Sequence, residues 1–141
     1  MSTLARAIEI ATQAHAGQTD KGGAPYIGHP TRVMNSLATE SEKIVGILHD
    51  VCEDSPDWTF ARLAAEGFST TIIEALQSVT KREGESYDDF VRRAGANPVG
   101  RKVKIADLTD NMDLRRIGNP TEKDQARLAK YRAALAVLAP S

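Results

Sequence analysis

The sequence predicts an all-α fold, a compact bundle of about seven or eight helices forming one domain over residues 1–141. Three observations predict it. Apolar residues recur three and four apart in one segment after another, which is helical spacing. Ser, Thr or Asn stands ahead of most of these segments, with Gly or Pro behind several of them, as helix starts and stops require. No stretch alternates apolar and polar residues in the manner of a half-buried strand, and neither an internal repeat nor a low-complexity segment interrupts the pattern.

Taken in order, Ser2 or Thr3 caps a first helix whose Leu4, Ala7, Ile8, Ala11 and Ala14 share a face, and Gly17 stops it. His15 near its end is a dipole partner, a core residue or a metal ligand. Residues 17–28 (GQTDKGGAPYIG) are too irregular for helix or strand, and this loop delivers Lys21 and Tyr26 to His29. Pro30 fits the first position of the next helix, which turns Val33, Met34 and Leu37 inward. Ser41 is the expected cap of a third helix running into the 49–54 region, and Ile44, Val45, Ile47, Leu48 and Val51 make it apolar nearly all round. It should be the buried central helix.

Ser55 to Trp58 break the chain, and Thr59 then caps a short helix bearing Phe60 and Leu63 that ends at Gly67. Trp58 and Phe60 read as packing anchors. Thr71 and Glu74 are spaced as a capping box ahead of Leu76 and Val79, with Ser69 or Thr70 as an earlier start. Residues 80–85 (TKREGE) form a charged turn, solvated or delivering Lys81 or Arg82 to a site. Ser86 and Asp89 open a helix bearing Tyr87, Phe90, Val91 and Ala94. Asn97 and Pro98 start another that runs through Ile117. Thr121 caps the last helix, which carries Leu128, Tyr131, Leu135 and Leu138 and has Pro140 past its end.

Composition narrows the function classes. A chain of 141 residues, 41% hydrophobic and 26% charged, can bury a core and is not disordered. A net charge of −1 supplies no basic field, so neither nucleic acid nor an anionic membrane is an expected partner. The single cysteine, Cys52, excludes an internal disulfide framework and fits a reducing cytoplasm. Beside Val51 on a packed helix it reads as a small core residue rather than a nucleophile. No signal-peptide pattern opens the chain and no apolar run approaches the ~18 residues of a membrane span, so a cytoplasmic protein is expected. No feature sets an oligomeric state.

The run Ile44 to Ser55 places adjacent His49 and Asp50 at the end of an apolar helix, with Glu53 and Asp54 one turn later. On a helix His49 would lie over Glu53 and Asp50 over Asp54, giving one imidazole and three acids in one place. Such a cluster is costly in an apolar setting unless a cation, water or a basic ligand neutralises it. His29 lies upstream at a loop-to-helix junction, and Asp107 lies downstream among Val103, Ile105, Ala106 and Leu108. His29, His49, Asp50 and Asp107 form a donor set suited to Mn²⁺, Fe²⁺ or Zn²⁺ with positions left for water. Lys104, Asp107 and Asn111 share one side of their helix, as a metal-plus-phosphate site needs.

The order His-Pro (29–30), Leu-His-Asp-Val-Cys-Glu-Asp (48–54) and Val-Lys-Ile-Ala-Asp (103–107) with Asn111 resembles the HD-domain metal phosphohydrolases, in particular the (p)ppGpp hydrolase domain of RelA/SpoT homologues. The likeness covers nearly the whole chain and includes Ala-His-Ala-Gly-Gln (14–18), Pro-Tyr-Ile (25–27), Val-Thr-Lys (79–81) and Asp-Asn-Met (110–112). It implies a helical HD domain that hydrolyses the 3′-pyrophosphate of (p)ppGpp with a metal-activated water, of the stand-alone kind that includes the metazoan SpoT homologue. Metal ligation, usually of Mn²⁺ in that family, would fall to His29, His49, Asp50 and Asp107. Glu53 and Asp54 would be catalytic, handling the protons of the water and the leaving group. Lys21, Tyr26 and Asn111 would bind the phosphorylated nucleotide.

Two departures bear on the substrate. Asp20-Lys21 stands where alarmone hydrolases commonly carry Arg-Lys, and Met112-Asp113-Leu114 stands where Met-Arg-Thr is frequent. An acid cannot stack on a base as a guanidinium does; Arg115 and Arg116, next along the chain, are the candidates to compensate. Another phosphorylated nucleotide, such as a 3′-phosphonucleoside or NADPH, is therefore an alternative substrate, and a non-catalytic nucleotide- or metal-binding module is the alternative outside enzymes.

Overall fold

The computed structural model describes residues 3–20, 22–113 and 120–139. Its helical segments are α1 (Leu4–Ala14), α2 (Gly28–Asn35), α3 (Glu40–Leu48), α4 (Val51–Asp54), α5 (Phe60–Ala65), α6 (Thr70–Ser78), α7 (Tyr87–Ala96), α8 (Pro98–Asn111) and α9 (Glu122–Leu138). Eight of them have six residues or more, and α4 is a single turn. Among the described residues the β-type pairing consists of one isolated bridge, Thr19 with Pro25, inside the glycine-rich loop. The fold is all-α, as the spacing of apolar residues requires.

Local chemistry places most helix starts where the cap residues stand. Side chains of Thr3, Thr59, Ser86, Asn97 and Thr121 accept backbone N–H bonds at the starts of α1, α5, α7, α8 and α9. Each satisfies donors that a helix leaves without partners at its first turn. Gly17, at φ 82°, takes the left-handed turn that ends α1.

Three boundaries differ from expectation, and at α6 the earlier of the starts left open is the one used. Thr39, not Ser41, caps α3, because Thr39 and Glu42 form a reciprocal capping box that Ser41 cannot form from inside the first turn. Ser69 caps α6, so the Thr71 and Glu74 spacing is not its box. Pro30 stands at the third helical position of α2, where its missing N–H is still one of the donors without a helical partner. Helix α8 ends at Asn111 with Met112 as its cap, rather than reaching Ile117, and Asp113 N–H closes a tighter turn onto Asp110 O (3.2 Å). Residues 114–119 lie outside the described residues.

Helix α3 is the centre, packed against α1, α2, α6 and α8, and Val45, Ile47 and Leu48 on it are essentially inaccessible to solvent. Trp58, Leu63, Ile72, Leu76 and Val103 complete the main core, with Phe60 half-buried against it. Each fully buried Leu or Ile contributes on the order of 1.5–3 kcal/mol. A second cluster of Val91, Leu108, Ala134 and Leu138 joins α7, α8 and α9, so α8 carries side chains of both. Helix α8 approaches α6 closely at Gly100, where an added Cβ would overlap Ser78 Oγ. Among the described residues no helix is long and apolar enough to cross a membrane.

Candidate metal centre

The expected central helix is interrupted. α3 ends at Leu48, His49 caps it, and the chain turns through Asp50 before α4 begins. This turn leaves the Gly46 carbonyl to accept a 2.6 Å hydrogen bond from His49 Nδ1. A carbonyl only accepts, so the proton sits on Nδ1 and Nε2 faces inward. His29, in the first turn of α2, and Asp107, in the third turn of α8, arrive from the other sides. His49, His29 and Asp107 are all buried, at 3%, 5% and 7% exposure.

These side chains converge. His29 Nε2 lies 2.9 Å from Asp107 Oδ1 and 3.7 Å from Asp50 Oδ2. His49 Nε2 lies 3.2 Å from Asp50 Oδ2 and 3.3 Å from Asp107 Oδ1. Ligand atoms of His29, His49 and Asp50 all fall within 4.8 Å of one another. Tyr26 donates its hydroxyl to Asp50 Oδ2 at 2.6 Å, Asn111 Nδ2 donates to Asp107 Oδ1 at 3.1 Å, and Lys104 Nζ donates to Asp107 Oδ2 at 3.1 Å. All of them line one cavity of about 170 Å³, together with Glu53, Val79 and Phe90.

The electrostatics follow from this crowding. Burial disfavours a charged His49, but Asp50 and Asp107 outweigh it and raise the imidazole well above its ordinary pKa. For His29, burial is outweighed by hydrogen bonds to Asp107 and Asp110, and its pKa is raised too. Asp107 is the counterpart: burial pushes it up, yet His49, Lys104 and His29 hold it well below the usual carboxylate range. Asp50 is likewise lowered, chiefly by His49 against the effect of burial. Positive charge is therefore favoured at the point where two imidazole nitrogens meet two carboxylates. The donors fit a divalent cation: two borderline nitrogens and two hard oxygens, with His49 oriented by a carbonyl and His29 by a carboxylate through their outer nitrogens.

Glu53 and Asp54 follow on α4. Both remain accessible to solvent, and partial burial, reinforced by the charge of Asp50, raises both carboxyls. Glu53 Oε1 accepts the Lys81 N–H at 2.7 Å, which fixes the carboxylate at the cavity rim. Asp54 does not line the cavity; its N–H closes a helical bond to Asp50 O at 3.0 Å. Lys81 and Arg82 line a neighbouring groove with Lys130 and Tyr87 instead of entering the cavity.

The remaining expected residues are placed as follows. Lys21 lies outside the described residues, as do Arg115 and Arg116. Asp20 Oδ1 accepts the N–H groups of Gly22 and Ala24 (2.9 and 3.0 Å), so this acid organises its own loop. Asp113 lines a groove on the other side of α8, with Arg32, Lys102 and Ala106. His15 caps the end of α1, its Nδ1 3.0 Å from Gln18 Oε1 and its ring 5.0 Å from that of Tyr26, outside the converging set. Burial pushes the Cys52 thiol up to about 12, which suits a packing residue and not a nucleophile.

Two functional contacts escaped the sequence reading. Asp110, three residues after Asp107, accepts from His29 Nδ1 at 2.6 Å. Its spacing puts it on the face of Asp107, and that was the available signal. Arg93 holds the 80–85 turn by donating to Gln77 O (2.6 Å), Thr80 O (2.7 Å) and both Glu85 oxygens (2.8 Å each). It thereby supports the segment whose Lys81 N–H fixes Glu53, and no local pattern announces it.

No protein-family model matches the chain. It is 35% identical, over 99% of its length, to a probable GTP pyrophosphokinase of Mycobacterium leprae and to the bifunctional (p)ppGpp synthase/hydrolase RelA of Mycobacterium tuberculosis, of which it covers 19% and 20%. It is 31% identical, over 77% of its length, to the guanosine-3′,5′-bis(diphosphate) 3′-pyrophosphohydrolase of Aquifex aeolicus, covering 17% of that protein. These relatives carry both synthase and hydrolase names. Over nearly all its length the chain is a homologue of one segment, about a fifth, of RelA/SpoT-type proteins.

Proposed function

We propose that residues 1–141 form a metal-dependent phosphohydrolase domain that removes the 3′-diphosphate of (p)ppGpp as pyrophosphate, leaving GDP or GTP. The observation that supports this most is the meeting of His29 Nε2, His49 Nε2 and the Asp50 and Asp107 carboxylates in one cavity with Glu53 at its rim. The hydrolase names among the relatives agree with it. His29, His49, Asp50 and Asp107 would hold the ion, with Mn²⁺ as the proposed metal. Such an ion lowers the pKa of water towards ~7 and polarises a phosphoryl oxygen.

The chain's own groups supply the rest. The oxygen of water attacks the phosphorus next to the ribose 3′ oxygen, the bond between them breaks, and the 3′ oxygen leaves with a proton. Glu53 takes the proton from the water: Oε1 is occupied by the Lys81 N–H, while Oε2 takes no hydrogen bond among the described residues. Asp54, next on α4 but not lining the cavity, is the candidate for the leaving group's proton on the resemblance alone. Asn111 and Lys21 bind phosphate and ribose, and Tyr26 lines the nucleoside side. Lys104, against Asp107, keeps positive charge in the cavity that receives the anionic substrate.

A second substrate reading has its own support. Asp20 is occupied with its loop and Asp113 lies on the far side of α8, so neither replaces the base-recognising cations of the alarmone hydrolases. A 3′-phosphonucleoside or NADPH would then use the same catalytic groups. Rates on (p)ppGpp, a 3′-phosphonucleoside and NADPH decide between the readings. Glu53→Gln should retain the metal and lose turnover on the best substrate. Normal turnover by Glu53→Gln would refute the proton-accepting role, and ligand binding without turnover by the wild type at saturating Mn²⁺ would favour a binding module.

A further inference from the structure

We infer that Asp110 is a positioning residue for the metal centre, and that Arg32 acts through it. The inference rests on the metal reading of the site. His29 is gripped from both ring nitrogens by one helix: Asp107 of α8 faces Nε2 at 2.9 Å, and Asp110, one turn further on, faces Nδ1 at 2.6 Å. The Asp110 carboxylate accepts the Nδ1 proton, which leaves the Nε2 lone pair for a cation. The same carboxylate is held by Arg32, whose Nε donates to Oδ1 at 2.7 Å and whose Nη2 donates to Oδ2 at 3.2 Å. His29 and Arg32 stand three residues apart on α2, so a single acid on α8 ties both to one place.

Burial grades the three members. His29 and Asp110 side chains are 6% and 12% exposed, while the Arg32 side chain is 40% exposed. The relay thus runs from a solvent-facing guanidinium, through a nearly buried carboxylate, to a buried imidazole. The two histidines also differ: His49 is backed by the neutral Gly46 carbonyl and His29 by an anion. A carboxylate behind an imidazole makes it a stronger donor and fixes its ring, and such partners typically carry 10–100-fold in metal affinity. Arg32 in turn keeps that carboxylate bidentate and stationary.

The test is Mn²⁺ binding by calorimetry on the metal-stripped protein and its variants, with thermal unfolding recorded for each in the absence of metal. Asp110→Ala should weaken Mn²⁺ binding by ~10–100-fold. Asp110→Asn, whose amide oxygen can still accept from Nδ1, should lose less. Arg32→Met should lose less than Asp110→Ala, and the double variant Arg32→Met with Asp110→Ala should bind no worse than Asp110→Ala alone, because the two act in series. A purely structural role would lower unfolding temperatures and leave affinity unchanged; that outcome in folded Asp110→Ala, or full additivity in the double variant, overturns the inference. If the wild type binds Mn²⁺ no better than Asp50→Ala does, the metal reading itself is wrong and the inference falls with it.

Discussion

Replacing Asp107 with Asn should destabilise the metal-free protein by about 3 kcal/mol, and the structure sets that scale. Asp107 is 7% exposed and takes contacts from His29, His49, Lys104 and Asn111. Lys104 is 8% exposed, and Asp107 is its ion-pair partner at 3.1 Å. Removing one member of a buried pair leaves the other charge uncompensated, at a cost of about 3–5 kcal/mol. Two effects oppose the loss: repulsion between Asp107 and Asp50 disappears, and both histidines can shed protons that Asp107 held. The lower end of the range is therefore expected, a fall of ~10 °C in Tm for a domain of this size. Urea unfolding at pH 7 in chelator measures it. Adding Lys104→Met removes the stranded ammonium and should restore part of the loss. At one hundred times its Kd, Mn²⁺ should add ~2.7 kcal/mol to the wild type and far less to Asp107→Asn. An Asp107→Asn protein as stable as the wild type in chelator, or a double variant no better than the single one, would refute the reasoning.

Two further perturbations probe the supports of the site. The Arg93 guanidinium holds the Glu85 carboxyl at about 2, below its ordinary 4.5, so the pair stabilises the fold above pH 4.5 and the contribution is lost as pH falls towards 2. The stability gap between wild type and Glu85→Gln should narrow over that window in denaturant titrations at pH 6, 4 and 3; a constant gap would contradict it. Gly100→Ala should cost about 1–2 kcal/mol, because the added methyl meets Ser78 Oγ and Ala94 O and this strain exceeds the helix-propensity gain. Ser78→Ala with Gly100→Ala should recover part of that cost in the same unfolding assay, and no recovery would show that the contact does not limit packing.

The cap chemistry of Thr3, Thr59, Ser86, Asn97 and Thr121 is local, so these helix starts were legible in the sequence. The meeting of His29 and Asp107, 78 residues apart, was legible for a different reason: burying ligand-type side chains separately is costly, and one shared cation would resolve the cost. Thr39 was missed although Thr39 and Glu42 show the box spacing, because Ser41 lies nearer the apolar run. The turn at His49 and Asp50 was missed because Val51 follows Ile47 and Leu48 at helical spacing, so the apolar pattern carries across it. Asp110 and Arg32 depend on how α2 lies against α8, and periodicity carries no record of that packing. Asp20 shows the converse, a residue weighed for its charge that serves its loop through backbone amides.

The most direct measurement is pyrophosphate release from (p)ppGpp by the metal-stripped protein, followed with and without added Mn²⁺. Release that requires Mn²⁺ is the predicted result, with GDP or GTP as the co-product. Turnover that proceeds equally in chelator would contradict the metal centre, and Mn²⁺-dependent hydrolysis of another nucleotide with (p)ppGpp untouched would contradict the substrate.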